Sequence, residues 1–215
     1  MPRLLFLALG ILLLTAEAPQ LPASSVALAP NPPRVIAAVA ARNAAVQHFT
    51  FDVTARIALL TFPWIRFTMH GHGAYTRGGE YLVHFDDVPW FGKGYDTMPM
   101  SALDVTTWPQ LYTMAVASSQ GTLTTLSMHD VKKSNMVEAR AQIDAEQGLK
   151  QILWTYDYGG HVKLTVTPLA VDGFYFPGSE EAEIVMPQYR AMAWATFSNY
   201  QIDAGTPAYS PQDDK

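Results

Sequence analysis

The chain has 215 residues, 14 Lys+Arg against 19 Asp+Glu, a formal net charge of -5 and no cysteine. That balance offers no basic footprint for a phosphate backbone and excludes nucleic acid as the main partner. The missing thiols exclude disulfides, thiolate metal sites and acylation at a cysteine.

The first residues read as an export signal. Arg3 precedes an unbroken apolar run from Leu4 to Leu14, followed by the small-x-small triplet Ala16-Glu17-Ala18. The run is too short for the ~20 residues that a membrane-crossing helix needs. The expectation is therefore a signal peptide over 1–18 and a mature protein without a transmembrane anchor, periplasmic or secreted. Residues 19–33 are rich in proline and small residues, carry no charge and read as a tether that cannot bury a core. The remainder suffices for one sizeable domain over 34–203, ahead of a polar tail at 204–215.

Arg34 to Val46 places Val35, Ile36, Val39 and Val46 at helical spacing behind Pro32-Pro33, which suits a first helical turn. From Gln47 the period changes to two. Phe49, Phe51, Val53, Ala55, Ile57 and Leu59 alternate with polar or small residues, the mark of a strand with one buried face. After the Phe62-Pro63 break, a second strand sets Ile65, Phe67, Met69, Gly71, Gly73 and Tyr75 on one side and Arg66, Thr68, His70 and His72 on the other.

Arg77-Gly78-Gly79 follows as a hairpin loop. A three-residue loop pairs Thr76 with Glu80, Tyr75 with Tyr81, Gly73 with Val83 and Gly71 with Phe85. A two-residue loop would turn His84 and Asp86 onto the apolar face, where an unpaired imidazole and carboxylate are costly. The three-residue loop is the better reading, and it sets Phe85 over Gly71.

Val88 to Leu111 is irregular and aromatic, with Trp90, Phe91 and Trp108 among its residues, and reads as loop or short helix. Beyond it, strands are expected at Thr122–Met128, Val137–Asp144, Leu149–Asp157, Val162–Thr167, Ala182–Met186 and Ala191–Tyr200, with a turn at Tyr158-Gly159-Gly160-His161. One helix and about eight or nine sequential strands make a mainly β fold, and such meanders close or half-close into barrels. Its continuous apolar face needs a cover. The N-terminal helix and the Val88–Leu111 segment are the available ones.

Chemistry-bearing motifs are sparse. There is no G-x-S-x-G, no Gly-rich phosphate loop and no H-E-x-x-H. The hairpin register lays His72 across from His84 and His70 across from Asp86, with Asp52 beside one of them. Such a group can ligate zinc or copper, or serve simply as the solvated face of the sheet. The solvated face is the simpler reading, since Arg66, Thr68 and Thr76 share it.

On the other face, Gly71 and Gly73 leave room for something to lie against the sheet. The occupant is either Trp90 or Phe91, as ordinary core, or an apolar ligand, to which Met69, Met98, Met100 and Met114 would adapt.

Three stretches give the chain a likeness to a known family: Gly71-His72-Gly73-Ala74-Tyr75, Val171-Asp172-Gly173-Phe174-Tyr175-Phe176-Pro177, and Ala195-Thr196-Phe197-Ser198-Asn199-Tyr200. With the order of elements from Arg34 to Ile202, they resemble the LolA/LolB-like superfamily of bacterial envelope proteins. The resemblance implies an incomplete antiparallel β-barrel, a half-barrel whose concave apolar side is lidded by helices. It implies a carrier of acyl chains, lipid or lipoprotein, with no catalytic residues and no cofactor, working with an envelope protein that loads or unloads it. It also places Phe49, Phe51, Phe67, Met69, Val83, Phe85, Trp154 and Leu164 on the concave side and Trp90, Phe91 and Trp108 in the lid. The alternatives are a metal-dependent envelope enzyme built on His70, His72 and His84 with Asp52 or Asp86, and a solid-cored interaction module.

Overall fold

A computed structural model describes residues 34–79, 81–90, 96–100, 103–132 and 135–204. The signal peptide and tether expected over 1–33, and the tail beyond 204, lie outside the described residues. So does Phe91.

Helix α1 spans Arg34–Arg42 and buries Val35, Ile36 and Val39 on one face. It is shorter than the Arg34–Val46 helix expected. The chain turns at Asn43, whose N–H still reaches the Val39 carbonyl at 3.2 Å, and Val46 becomes the first residue of β1. Arg42 in the last turn suits the negative end of the helix dipole, and its guanidinium donates to the Glu146 carbonyl.

The strands are β1 (Val46–Leu59), β2 (Arg66–Thr76), β3 (Tyr81–Phe85), β4 (Thr97–Pro99), β5 (Tyr112–Gln120), β6 (Leu123–Asp130), β7 (Met136–Asp144), β8 (Gly148–Tyr156), β9 (His161–Val171), β10 (Phe174–Met186) and β11 (Tyr189–Ala204), with a four-residue helix α2 (Trp108–Leu111) before β5. They form one antiparallel sheet in the order β4-β3-β2-β1-β11-β10-β9-β8-β7-β6-β5. Two meanders are joined where β1 pairs with β11. The sheet is open, with β4 and β5 as its edges, and the mainly β incomplete barrel is the observed class.

The first hairpin has the expected register: Gly71 opposite Phe85, His72 opposite His84, Gly73 opposite Val83 and Tyr75 opposite Tyr81. Gly78 turns the loop at φ +68°, in the left-handed region that favours glycine.

Three expectations need correction. Val88–Leu111 is not wholly irregular, since Thr97–Pro99 adds an edge strand to β3, where Pro99 at the strand end costs the ladder little. Strand β5 was not anticipated, because only Tyr112 and Met114 are half-buried and 115–120 are exposed, so no apolar alternation marks it. Strands β9 and β10 run several residues past their expected limits. Pro168 and Pro177 look like stops, but they sit opposite one another beside a bulge at Gly178, where neither need donate to the ladder.

The connection from β4 to β5 has to pass from one edge of the sheet to the other. Along it Val105 and Trp108 are buried and Leu103 partly so, packed into the same core as α1 and the inward residues of the strands. The expected cover is thus partly right: α1, the 103–106 segment and Trp108 pack on the apolar face. Trp90 is 80% exposed and does not.

A cavity with a buried carboxyl

Two neighbouring cavities lie between the apolar face and its cover. The larger, of about 130 Å³, is bounded by α1 through Val39 and Ala40, by Phe49, Tyr75 and Tyr81 on β1–β3, by Leu103 to Thr106, and by Val166, Phe176 and Glu180 on β9 and β10. The smaller, of about 50 Å³, is lined by Val53, Met69, Val83, Phe85, Leu164 and Phe197, with Met98, Met100 and Ala182 beside them. Glu180 borders both.

The residues expected to face a ligand are distributed unevenly. Phe49 borders the larger cavity, and Met69, Val83, Phe85 and Leu164 border the smaller. Phe51, Trp108 and Trp154 are buried in the core but border neither, and Phe67 is half-buried.

The glycines do not open a floor. A side chain at Gly73 would meet the Phe51 ring at 2.1 Å, so Phe51 from the adjacent strand, rather than Trp90 or a ligand, fills that space. At Gly71 a Cβ would come within 2.1 Å of the His84 carbonyl oxygen and 2.9 Å of the Phe85 Cα. Glycine there permits a close backbone approach.

Aromatic rings build the wall. Phe49 stacks on Tyr75 at 4.8 Å between centroids and meets Phe176 edge-on at 4.8 Å, while Phe176 stacks on Tyr200 at 4.9 Å. The Tyr200 hydroxyl donates to the Pro177 carbonyl at 2.7 Å. Burial raises the pKa of Tyr75, Tyr81 and Tyr200, so these phenols stay neutral.

Two carboxyl groups stand out in this apolar setting. Asp104 Oδ1 accepts from the Thr106 N–H at 3.0 Å and the Thr106 hydroxyl at 2.5 Å, yet burial keeps its pKa raised. Glu180 is 7% exposed, its Oε1 has no hydrogen-bond partner, and burial pushes it up to about 8. At neutral pH it is mostly a neutral acid.

Sequence reasoning missed Glu180 because it started the strand at Ala182, beyond Pro177. The signal was present: Ala182, Ile184 and Met186 point inward, and one more step of two places Glu180 on the same face.

The histidine face is arranged otherwise than a metal site requires. His70 Nδ1 pairs with Asp87 at 2.7 Å, not with Asp86, whose carboxylate lies 3.7 Å from His72 Nδ1. His84 Nδ1 is 3.2 Å from the Thr97 hydroxyl, and Asp52 accepts from the Asn199 amide at 2.7 Å. The His72 and His84 rings are 5.5 Å apart. Among the described residues no three His, Asp or Glu side chains converge as a metal would need. The register was right, but each side chain has found a separate neighbour on an exposed surface.

No family model matches the sequence, and no curated protein matches it. Solved structures do match in shape. A LolA superfamily protein from Nitrosomonas europaea superposes with a TM-score of 0.58 at 8% identity, covering 80% of this chain and 93% of the other. An outer membrane lipoprotein-sorting protein domain from Vibrio parahaemolyticus gives 0.60 at 10% identity, covering 80% and 92%. A DUF1329 family protein from Desulfovibrio piger gives 0.58 at 11%, covering 80% and 93%. Among the described residues no helix is long and apolar enough to cross a membrane. The chain therefore shares the fold of the LolA superfamily, an open antiparallel half-barrel with its apolar face covered from within.

Proposed function

We propose that this domain is a carrier or binding protein for an apolar ligand, an acyl chain or lipid, in the bacterial envelope, and that it works by binding rather than by catalysis. The observation that carries this reading is the cavity between α1, the 103–106 segment and the concave face, which shares Glu180 with a second apolar space. The leader-like first residues support an envelope location, and one protein of similar fold is described as lipoprotein-sorting.

Size sets the scale. An apolar cavity of about 150 Å³ accepts benzene, whereas sites for larger ligands run to about 300–1,000 Å³. The larger space, at about 130 Å³, takes a short chain as it stands. A longer one requires the cover to shift. Six buried methylenes supply about 5 kcal/mol before ordering costs, so short chains bind weakly and affinity grows with length.

The test uses the neutral apolar dye Nile red. Ala40 borders the cavity and Ala38 is exposed on the same helix. Ala40→Phe should reduce dye binding at least tenfold while Ala38→Phe leaves it unchanged. If the wild-type protein binds no dye, and protein from its own envelope has the same mass before and after delipidation, the carrier reading fails.

A further inference from the structure

Glu180 occupies a position that the fold would fill better with an apolar residue. Its ladder partners are Val166 on β9 and Ala195 on β11, and Ala182, Ile184 and Met186 continue the same face. Burying a carboxyl group without a hydrogen bond is costly, so an unpartnered one on an apolar wall calls for a role beyond packing.

The charge on the wall is unevenly placed, since Arg77 acts on Asp104 and Tyr75 while no cation acts on Glu180. The titratable groups that act with Glu180 are the phenols of Tyr81 and Tyr200, and the Asp104 carboxyl also acts on Tyr81. Arg77 borders the larger cavity, but its Nε donates to the Val46 carbonyl at 2.9 Å and its Nη2 to the Asn43 carbonyl. The Tyr200 and Thr106 hydroxyls are likewise committed to protein acceptors. The side-chain atoms bordering the cavity that are buried without a partner are both oxygens, Glu180 Oε1 and Asn43 Oδ1. At Glu180 itself no hydrogen bond and no cation offsets the burial, so a donor carrying positive charge is what this part of the wall lacks.

Building on the carrier reading, we propose that the cavity selects amphiphiles whose head is a protonated aliphatic amine, with Glu180 receiving the ammonium group and the apolar walls receiving the chain. An ammonium group brings three donors and a positive charge, the complement of a carboxylate that nothing else pairs. A free fatty acid carries the wrong charge, and an alcohol brings a single donor.

Binding moves a proton. At pH 7 Glu180 holds its proton, since burial pushes it up to about 8. When the ammonium group docks, the O–H bond breaks, the proton leaves to solvent, and the carboxylate remains paired with the intact ammonium ion. Close to one proton is then released per amine bound at pH 7.

The experiment titrates the protein with octylamine, octanol and octanoate by calorimetry in two buffers of different ionisation enthalpy. Octylamine should bind at least tenfold tighter than octanol, octanoate should bind more weakly than either, and only the amine should release a proton. Glu180→Gln, which keeps the shape of the side chain, should bring octylamine to the level at which the same variant binds octanol and abolish proton release. Octanol binding as tightly as octylamine to the wild type would overturn the amine assignment and leave the carrier reading standing. An amine preference that survives in Glu180→Gln would overturn the role of Glu180. Failure of all three compounds to bind would overturn this inference, and the Nile red result would then say whether the carrier reading falls with it.

Discussion

Strands β6–β8 and the sheet around β1–β3 and β10–β11 bury comparable side chains by different means. In the first region Leu126, Met128, Ala139, Ala141, Ile143 and Ile152 are all at 0% exposure and border neither cavity. In the second, stacked and edge-on rings, a buried carboxyl and two cavities occupy the same layer. Small and branched side chains on regular strands interdigitate to crystal-like density, whereas flat rings meeting at fixed angles leave gaps between them. Bulges at Val46/His48 and Pro177/Ser179 adjoin the larger space and add local bend. The closed region is solid core, and the porous region is where the proposed ligand would lie.

The largest effect should come from Trp108, which is fully buried and meets Tyr112 edge-on at 6.2 Å. Trp108→Ala should cost about 3–5 kcal/mol, read as a lower denaturation midpoint with an unchanged denaturant slope. A loss below about 1 kcal/mol would show that the cover contributes little to the core.

The next effect is a pH dependence. Below the ordinary value of 4.5, Glu180 is protonated whether the chain is folded or unfolded and adds no pH dependence to stability. Between 4.5 and about 8 the unfolded chain has lost that proton while the folded chain keeps it, so this group lowers stability by roughly 1.4 kcal/mol per pH unit as pH rises. Asp104 is shifted the same way by burial, while Asp87 and Glu138 are lowered by their hydrogen bonds, so the comparison should be made against a variant. Glu180→Gln should gain on the wild type steadily from pH 5 to pH 8. A constant difference over that range would show that the carboxyl is not held neutral.

The smallest effect contrasts the two regions directly by overpacking. Ala141 is sealed in the closed region, while Ala182 borders the smaller cavity. Ala141→Leu should cost about 1–3 kcal/mol, and Ala182→Leu under about 1 kcal/mol because space is already there. Equal costs would remove the distinction between the regions.

Much of the scaffold was legible in the chain. Alternation from Phe49 to Leu59 and from Phe67 to Tyr75, with the argument against burying His84 and Asp86, yielded the faces of β1–β3 and the register of β2 with β3, but not that of β1 with β2. It failed where local rules conflict with tertiary context. Pro168 and Pro177 looked like ends because the bulge that lets them face each other involves two strands. Strand β5 has no buried face to leave a pattern. The candidate site was read less well. The glycine floor proved to be filled by Phe51, and the histidines, correctly paired across strands, were drawn to Asp87 and Thr97 by side-chain positions that register alone does not specify.

Period, turn chemistry and the balance of charge are local or additive properties. They sufficed to lead from the chain alone to a mainly β meander with one apolar face, while the half-barrel was what the family resemblance implied. The cavity depends on how α1 and the 103–106 segment settle onto strands distant in sequence, and on which ring reaches which gap. Glu180 acquires its meaning in the same way. As one carboxylate in Ser179-Glu180-Glu181 it is unremarked, and only its enclosure between β9, β11 and the cover deprives it of water and of any partner. Desolvation is a property of the assembled surroundings, which is why the tertiary structure alone decides it.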